Sequence, residues 1–443
     1  WFKDKFEGDV KIDLAVISNQ LRLEDLFTYE GKNYIPKDYR HEKLNNLNLK
    51  LHSNLHYKNS KLVDAKVNLD QLTAKMKLHP LTFKNFQGEF EVKDKYLKVS
   101  NFQGNLGKSN FLLDFNYYLG ETKTQESNNY VNLKSDYIDF DELKNFTPQS
   151  NSNLKDANKE AHTTGISSHE TAYNIYELPF SNLDFSANIN HFINNGLDFK
   201  NINARLRTTQ DHFIYLDAFN VQAAGGNASI KGYFNGSNPK NIYAKTTVKT
   251  EHVDLDQLLL KFENFGQDHL VSENLHGKLT TTIDGNFKIY PDMVPNINAS
   301  EIHMDIEVSE GRLENYEPLQ MLSSYMGDKN LNNIKFNTLK NHIDVKDGKL
   351  TIPNMVIEST LGHMELSGSH DMNHNIAYFI KLPMKTVRKA AGYKLFGGKD
   401  FSENQNTNET IIEVDSTKKV KYLNLKILGT IDDYKIKLGR KRK

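Results

Sequence analysis

Strict alternation of apolar and polar residues runs through most of this chain, and no other feature restricts its fold as tightly. Ile302, Met304, Ile306 and Val308 alternate with His303, Asp305 and Glu307. The same pattern recurs in Ile376, Tyr378, Ile380 and Leu382, in Val63, Ala65, Val67 and Leu69, and in Leu47, Leu49 and Leu51. A strand turns successive side chains to opposite faces, so this spacing predicts antiparallel sheet with one apolar face and one wet face. Breaks such as Gly225-Gly226, Asn235-Gly236 and Asp347-Gly348 punctuate the alternation at the spacing of an all-β chain. Helical patterns are few and short, over 20–28, 139–147, 254–264, 316–327 and 384–395. The last follows Leu382-Pro383 and stops at Gly397-Gly398.

The chain also repeats itself. Leu81-Thr82-Phe83-Lys84-Asn85-Phe86 returns 116 residues later as Leu197-Asp198-Phe199-Lys200-Asn201-Ile202, and again at Ile334-Lys335-Phe336-Asn337-Thr338-Leu339. A second element, Leu21-Arg22-Leu23-Glu24-Asp25-Leu26, returns as Ile138-Asp139-Phe140-Asp141-Glu142-Leu143 and Val253-Asp254-Leu255-Asp256-Gln257-Leu258, with nearly the same period. Two motifs sharing one period predict strand-rich units of about 116 residues. They divide the chain into 1–130, 131–245 and 246–443. The last unit is enlarged around 313–330. Residues 148–175 and 399–418, rich in Ser, Asn, Thr and charge, read as long loops inserted into the sheet.

Composition removes several function classes. The 56 basic residues balance 56 acidic ones, so no domain-wide positive field favours phosphate backbones and no nucleic-acid partner is expected. Without cysteine there is no disulfide, thiol catalysis or Cys-ligated zinc. No apolar run approaches the length of a membrane-spanning helix. The chain opens on Trp1 with no signal-peptide pattern, which reads as a fragment or processed product.

No set of residues assembles into a catalytic constellation. Asp139-Phe140-Asp141 and Asp254-Leu255-Asp256 have the form of metal-chelating pairs, but they recur as a repeat element. Their expected role is structural, the second acid capping the helix that follows. His363, His370 and His374 form a cluster in the sequence, yet the glycines around them mark strand and turn, so solvated loop histidines are expected and metal is not. Gly104-Asn105-Leu106-Gly107-Lys108-Ser109 has the wrong glycine gap for a phosphate-binding loop and reads as a hairpin. No enzyme and no cofactor is expected. The C-terminal Arg440-Lys441-Arg442-Lys443 reads as a solvated tail, and helix 384–395 as a closure for one end of the sheet.

The repeats resemble the AsmA-like family, most closely in its C-terminal region. The residues that carry the likeness are Pro318 to Leu322, Ile334 to Leu339, Ile343-Asp344-Val345-Lys346-Asp347-Gly348 with Leu350-Thr351-Ile352-Pro353, and Met364-Glu365-Leu366-Ser367-Gly368. Tyr422 to Thr430 and Asp432 to Ile436 are similar to the family's closing strands, and the Lys- and Asn-rich wording is similar to Bacteroidetes-type members. The resemblance implies an elongated, curved β-sheet with an apolar groove, as in the related TamB and bridge-like lipid-transfer proteins. It implies a periplasmic protein, anchored to the inner membrane through an N-terminal helix absent from this sequence. The implied role is phospholipid movement toward the outer membrane and envelope integrity, with phospholipid or another acyl lipid as ligand and envelope proteins as possible partners.

Under this reading Ile302, Met304, Ile306, Val308, Met364, Leu366, Ile376, Tyr378, Ile380 and Leu382 line the groove. Holding about 30 methylenes out of water is worth on the order of 20 kcal/mol, and a continuous apolar face supplies much of it. Alternation alone does not separate such a groove from a closed sandwich, whose layers bury the same side chains against each other. A scaffold or interaction module of the envelope with closed β-domains is therefore the competing expectation. A glycan-processing enzyme using Asp139/Asp141 or Asp254/Asp256 is a distant third.

Overall fold

The computed structural model describes residues 5–26, 28–29, 32–33, 42–77, 81–120, 128–144, 174–177, 180–261, 273–316, 331–384, 411, 420–430 and 433–439. Strands dominate them, and the chain divides into two compact units, Trp1–Val221 and Gln222–Lys443. The first holds β1 (Gly8–Arg22), β2 (Thr28–Tyr29), β3 (Lys32–Asn33), β4 (Lys43–Lys58), β5 (Lys61–Met76), β6 (Thr82–Lys93), β7 (Tyr96–Leu106), β8 (Ser109–Tyr118), β9 (Tyr130–Asp139), β10 (Leu183–Asn194) and β11 (Leu197–Thr208). Helices α1 (Leu23–Leu26) and α2 (Phe140–Lys144) follow β1 and β9. β12 (Phe213–Ala223) carries the division between the units.

The second unit holds β13 (Gly226–Asn235), β14 (Tyr243–Asp254), α3 (Leu255–Lys261), β15 (Leu275–Ile289), β16 (Pro295–Glu314), β17 (Asn333–Phe336) and β18 (Leu339–Lys346). β19 (Lys349–Ser359), β20 (Gly362–Asp371), β21 (Asn375–Pro383), β22 (Tyr422–Thr430) and β23 (Tyr434–Leu438) complete it. Each unit is built on one main ladder, with β2 and β3 pairing apart from it in the first. In the first, β1 pairs with β4 and each later strand through β11 pairs with the next. In the second the run is β13 to β16, then β18 to β23, with β17 extending the edge of β18 against the end of β16.

One pairing departs from the antiparallel rule. β9 and β10 run parallel, Val131 beside Phe185 and Tyr137 beside His191. A parallel pair needs a long crossover. The polar stretch expected as an inserted loop at 148–175 falls within that crossover, and all but its last two residues lie outside the described ones.

The sequence repeats correspond to backbone events. Asn85 and Asn201, at equivalent places in the first two copies, both adopt left-handed φ, 56° and 52°. At Asn85 the register slips between Lys84 and Gln87, a β-bulge that bends the strand. Asn visits this region more readily than other residues with a Cβ, since its short amide can bond locally. In the third copy the strand breaks outright, β17 ending at Phe336 and β18 starting at Leu339. Hairpins also draw on Asn: Asn59-Ser60, Asn195-Gly196 and Asp347-Gly348 have positive φ at both central residues, the tight turn that matches strand twist.

The second repeat element is the strand-to-helix corner. Within the helices expected over 20–28, 139–147 and 254–264, the described residues form α1, α2 and α3. The first acid, not the second, is the cap: Asp139 Oδ1 accepts from the Glu142 N–H at 2.9 Å, and Asp254 Oδ1 from the Gln257 N–H at 3.1 Å. The capping oxygen must precede the helix, and the strand runs to this residue. Lys108 of the β7–β8 turn and Lys278 of β15 each lie 3.3 Å from a capping carboxylate. The helices expected at 316–327 and 384–395, the loop 399–418 and the tail 440–443 lie outside the described residues, save Tyr316, Met384 and Ile411.

Candidate apolar binding surface

Register converts the alternation into continuous apolar rows. In the second unit Ile230, Val248, Ile283, Met304 and Ile343 stand opposite one another on five consecutive strands. Past the short β18–β19 pairing, the row continues through Ile352, Gly368, Tyr378, Ile427 and Ile436 on β19 to β23. At about 4.8 Å per strand, a row across ten strands extends roughly 40 Å. The first unit has its own row of Ile12, Ser53, Val67, Phe90, Val99, Phe115, Val131, Phe185 and Leu206, apolar except for Ser53.

Exposure along the second unit's row is intermediate. Ile230, Val248, Ile283, Met304, Ile343, Ile352, Tyr378 and Ile436 are all half-buried, and only Ile427 is buried. Mid-strand residues between two packed sheets would be the best buried in the molecule. Full burial is instead concentrated toward strand ends. In one cluster Leu331, Leu361, Leu382 and Leu425 are at most 5% exposed, with Met364, Ile380 and Ile427 beside them. In another, Leu255 of α3 closes on Val308 and Phe336, and Leu44, Leu47, Ala74, Met76 and Leu81 form the counterpart in the first unit. Each cluster draws on a contiguous stretch of one ladder plus short helices or connecting segments, so among the described residues no opposing sheet layer contributes.

The ten residues expected to line a groove share this face. Ile302 stands opposite Val345, Val345 opposite Leu350, Leu350 opposite His370, and His370 opposite Ile376, which ties the β16 set to the β21 set. Val308, Met364, Ile380 and Leu382 are buried in the end clusters. Ile302, Met304, Ile306, Leu366, Ile376 and Tyr378 are half-buried on the open stretch. Tyr316, at the end of β16, faces the same interior: burial pushes its phenol pKa up, with Tyr378 and Tyr434 close enough to add to the effect. Burial raises Tyr378 likewise. No sequence pattern singles out Tyr316, because its placement depends on how β16 ends.

The polar motifs resolve into structural contacts. Asp141 takes the backbone N–H groups of Asn195 and Gly196 at 2.7 and 2.8 Å and pairs with Lys144. Asp256 pairs with His276, which also lies 3.5 Å from Glu314. Gly107 and Lys108 make the two-residue turn between β7 and β8, and the Lys108 N–H donates to Glu142. His363 and His370 are half-buried residues of β20 rather than solvated loop histidines; only His374 sits in a turn, with φ 63°. On the wet side of the first unit, amides of Asn85, Gln87, Asn105, Asn110, Asn188 and Asn190 line a hollow of about 640 Å³.

No helix among the described residues is long and apolar enough to cross a membrane. No family model, curated protein or solved structure matches this sequence.

Proposed function

We propose that this chain is a non-enzymatic lipid-holding or lipid-conducting protein of the bacterial envelope. One observation carries the reading: a row across ten strands, apolar at every position but Gly368, is half-buried everywhere except Ile427, with no opposing sheet layer among the described residues. Leaving such a surface wet is costly at about 25 cal/mol per Å², and an acyl chain laid along it removes both that cost and its own. An acyl chain needs no directional partner, so a surface built of Ile, Val, Met and Leu accepts it at any position along the row. Movement between positions of similar energy is what conduction requires.

The resemblance to AsmA-like proteins supplies the setting: the periplasm, phospholipid as cargo, and exchange between inner and outer membranes. The fold is compatible with that setting without singling it out. Extraction of lipid from protein purified without detergent, followed by mass spectrometry, tests the reading. Stoichiometric phospholipid or another acyl lipid is the expected result. A lipid-free protein whose Ile302, Met304 and Ile306 are protected from water would instead mark a closed scaffold.

A further inference from the structure

We propose that His303, His342 and Asp344, on the wet face of the second unit, form a binding site for a divalent transition-metal ion, with Asp305 as the residue that orients one imidazole. The site arises from register. His303 of β16 stands directly opposite Asp344 of β18, and Asp305 opposite His342, so two His-x-Asp segments on antiparallel strands bring four ligand-type side chains together. One nitrogen from each histidine and one oxygen of Asp344 lie within 4.8 Å of one another. His303 Nδ1 is 2.6 Å and His342 Nε2 3.1 Å from the same Asp344 Oδ1. Tetrahedral bonds of 2.0–2.1 Å place ligand atoms about 3.3 Å apart, so an ion needs only a slight opening of this arrangement.

The outer contacts suit a metal. His342 Nδ1 lies 2.8 Å from Asp305 Oδ1, which fixes the ring so that Nε2 faces the site. A carboxylate on the far nitrogen of a ligating histidine is the usual supporting partner, and it strengthens the ligand. The two rings are nearly parallel, at 13°. Glu301 lies 3.8 Å from His303 Nε2, and Asp284 of β15 stands opposite His303, so negative charge surrounds the position. Lys346 and Lys340 are occupied by Glu301 and Glu307. All three ligands are partly exposed, with side-chain exposures of 48%, 48% and 39%, which leaves room for water to complete the coordination. Two imidazoles and one carboxylate suit zinc, nickel or copper, whereas magnesium and calcium take oxygen ligands.

Isothermal titration of the full chain with zinc chloride tests the site, with cobalt(II) absorption reporting nitrogen ligation. One equivalent of zinc is expected, undisturbed by excess magnesium or calcium. The His303→Gln/His342→Gln double variant should lose that equivalent while keeping its circular dichroism. Asp305→Asn should weaken binding by about 10- to 100-fold. Because the chain has 16 histidines, binding that persists unchanged in the double variant would assign the ion elsewhere and overturn the proposal, as would no zinc binding at all. Unchanged affinity in Asp305→Asn would remove Asp305 from it. These surface substitutions leave the apolar face untouched, so lipid retention and zinc binding fail independently.

Discussion

Strand β16 keeps one alternation from Ile302 to Val308, yet its apolar residues occupy two different surroundings. Ile302, Met304 and Ile306 pair with β15 and β18 on either side and remain half-buried, outside the buried clusters. Val308, two residues farther along the same face, is 6% exposed under Leu255 of α3 and beside Phe336 of β17. Nothing in the local pattern separates them. The difference is that a short helix and a strand break reach one stretch and not the other. Among the described residues closure comes from corners, and the middle of the face is left to whatever else can cover it.

A charge placed at each kind of position tests this most severely. Ile380 is buried at 8% exposure among Leu425, Met364 and Leu382, so Ile380→Glu should fail to fold, since an unpaired buried carboxylate is too costly to keep. Ile306→Glu should fold, keep its circular dichroism and lose bound lipid. Unfolding of both variants would show a covering layer over the middle of the face and merge the two regions into one core.

Truncation measures the same contrast on a finer scale. Leu382→Ala, at a site with no measurable exposure, should cost about 2–5 kcal/mol because it leaves a cavity among packed neighbours. Met304→Ala should cost about 1 kcal/mol or less, since a half-buried side chain leaves no enclosed void. Urea midpoints at constant slope give both values. Equal losses would erase the distinction.

Much of this was legible in the sequence, and the exceptions have physical causes. Period-two spacing identified the sheet and the shared face within each strand, because side-chain direction there depends only on parity; that the three sets share one face follows from register. The repeats marked the bulges and corners, although their meaning did not follow from spacing: Asn85 and Asn201 matter for backbone φ, which no hydropathy pattern reports. The cap went to Asp139 and Asp254 rather than Asp141 and Asp256 because the helix begins on the residue right after the first acid, which puts the second acid inside its first turn. His303, His342 and Asp344 were visible only as wet-face residues; their convergence needs the β16–β18 register, a long-range property. His363, His370 and His374 are close in sequence, but strand β20 and the turn after it, not a helix, carry them, so their spacing does not make a metal site.

The corners that close the ends can be weakened without touching the open face. Asp254→Ala removes the cap on α3 and the partner of Lys278, and should cost about 1 kcal/mol by thermal or urea unfolding. Zinc affinity and lipid retention should be unchanged. A loss of bound lipid in this variant would mean that α3 holds the face open as well as closing its end.

The smallest effect concerns Asp141 at the equivalent corner after β9. The hydrogen bond from Lys144, then those from the backbone N–H groups of Gly196 and Asn195, lower its pKa to about 2. Unfolded aspartate titrates near 4, so the folded state binds this proton more weakly than the unfolded state does. Its contribution to stability is therefore complete above the unfolded value and fades as pH falls from about 4 through about 2. Carboxyl carbon shifts should show Asp141 still ionised at pH 3, and Asp141→Asn should flatten the acid limb of stability slightly. An ordinary titration near 4 would mean that the Asn195–Gly196 turn does not hold the carboxylate, and that the corner after β9 is looser than the one after β14.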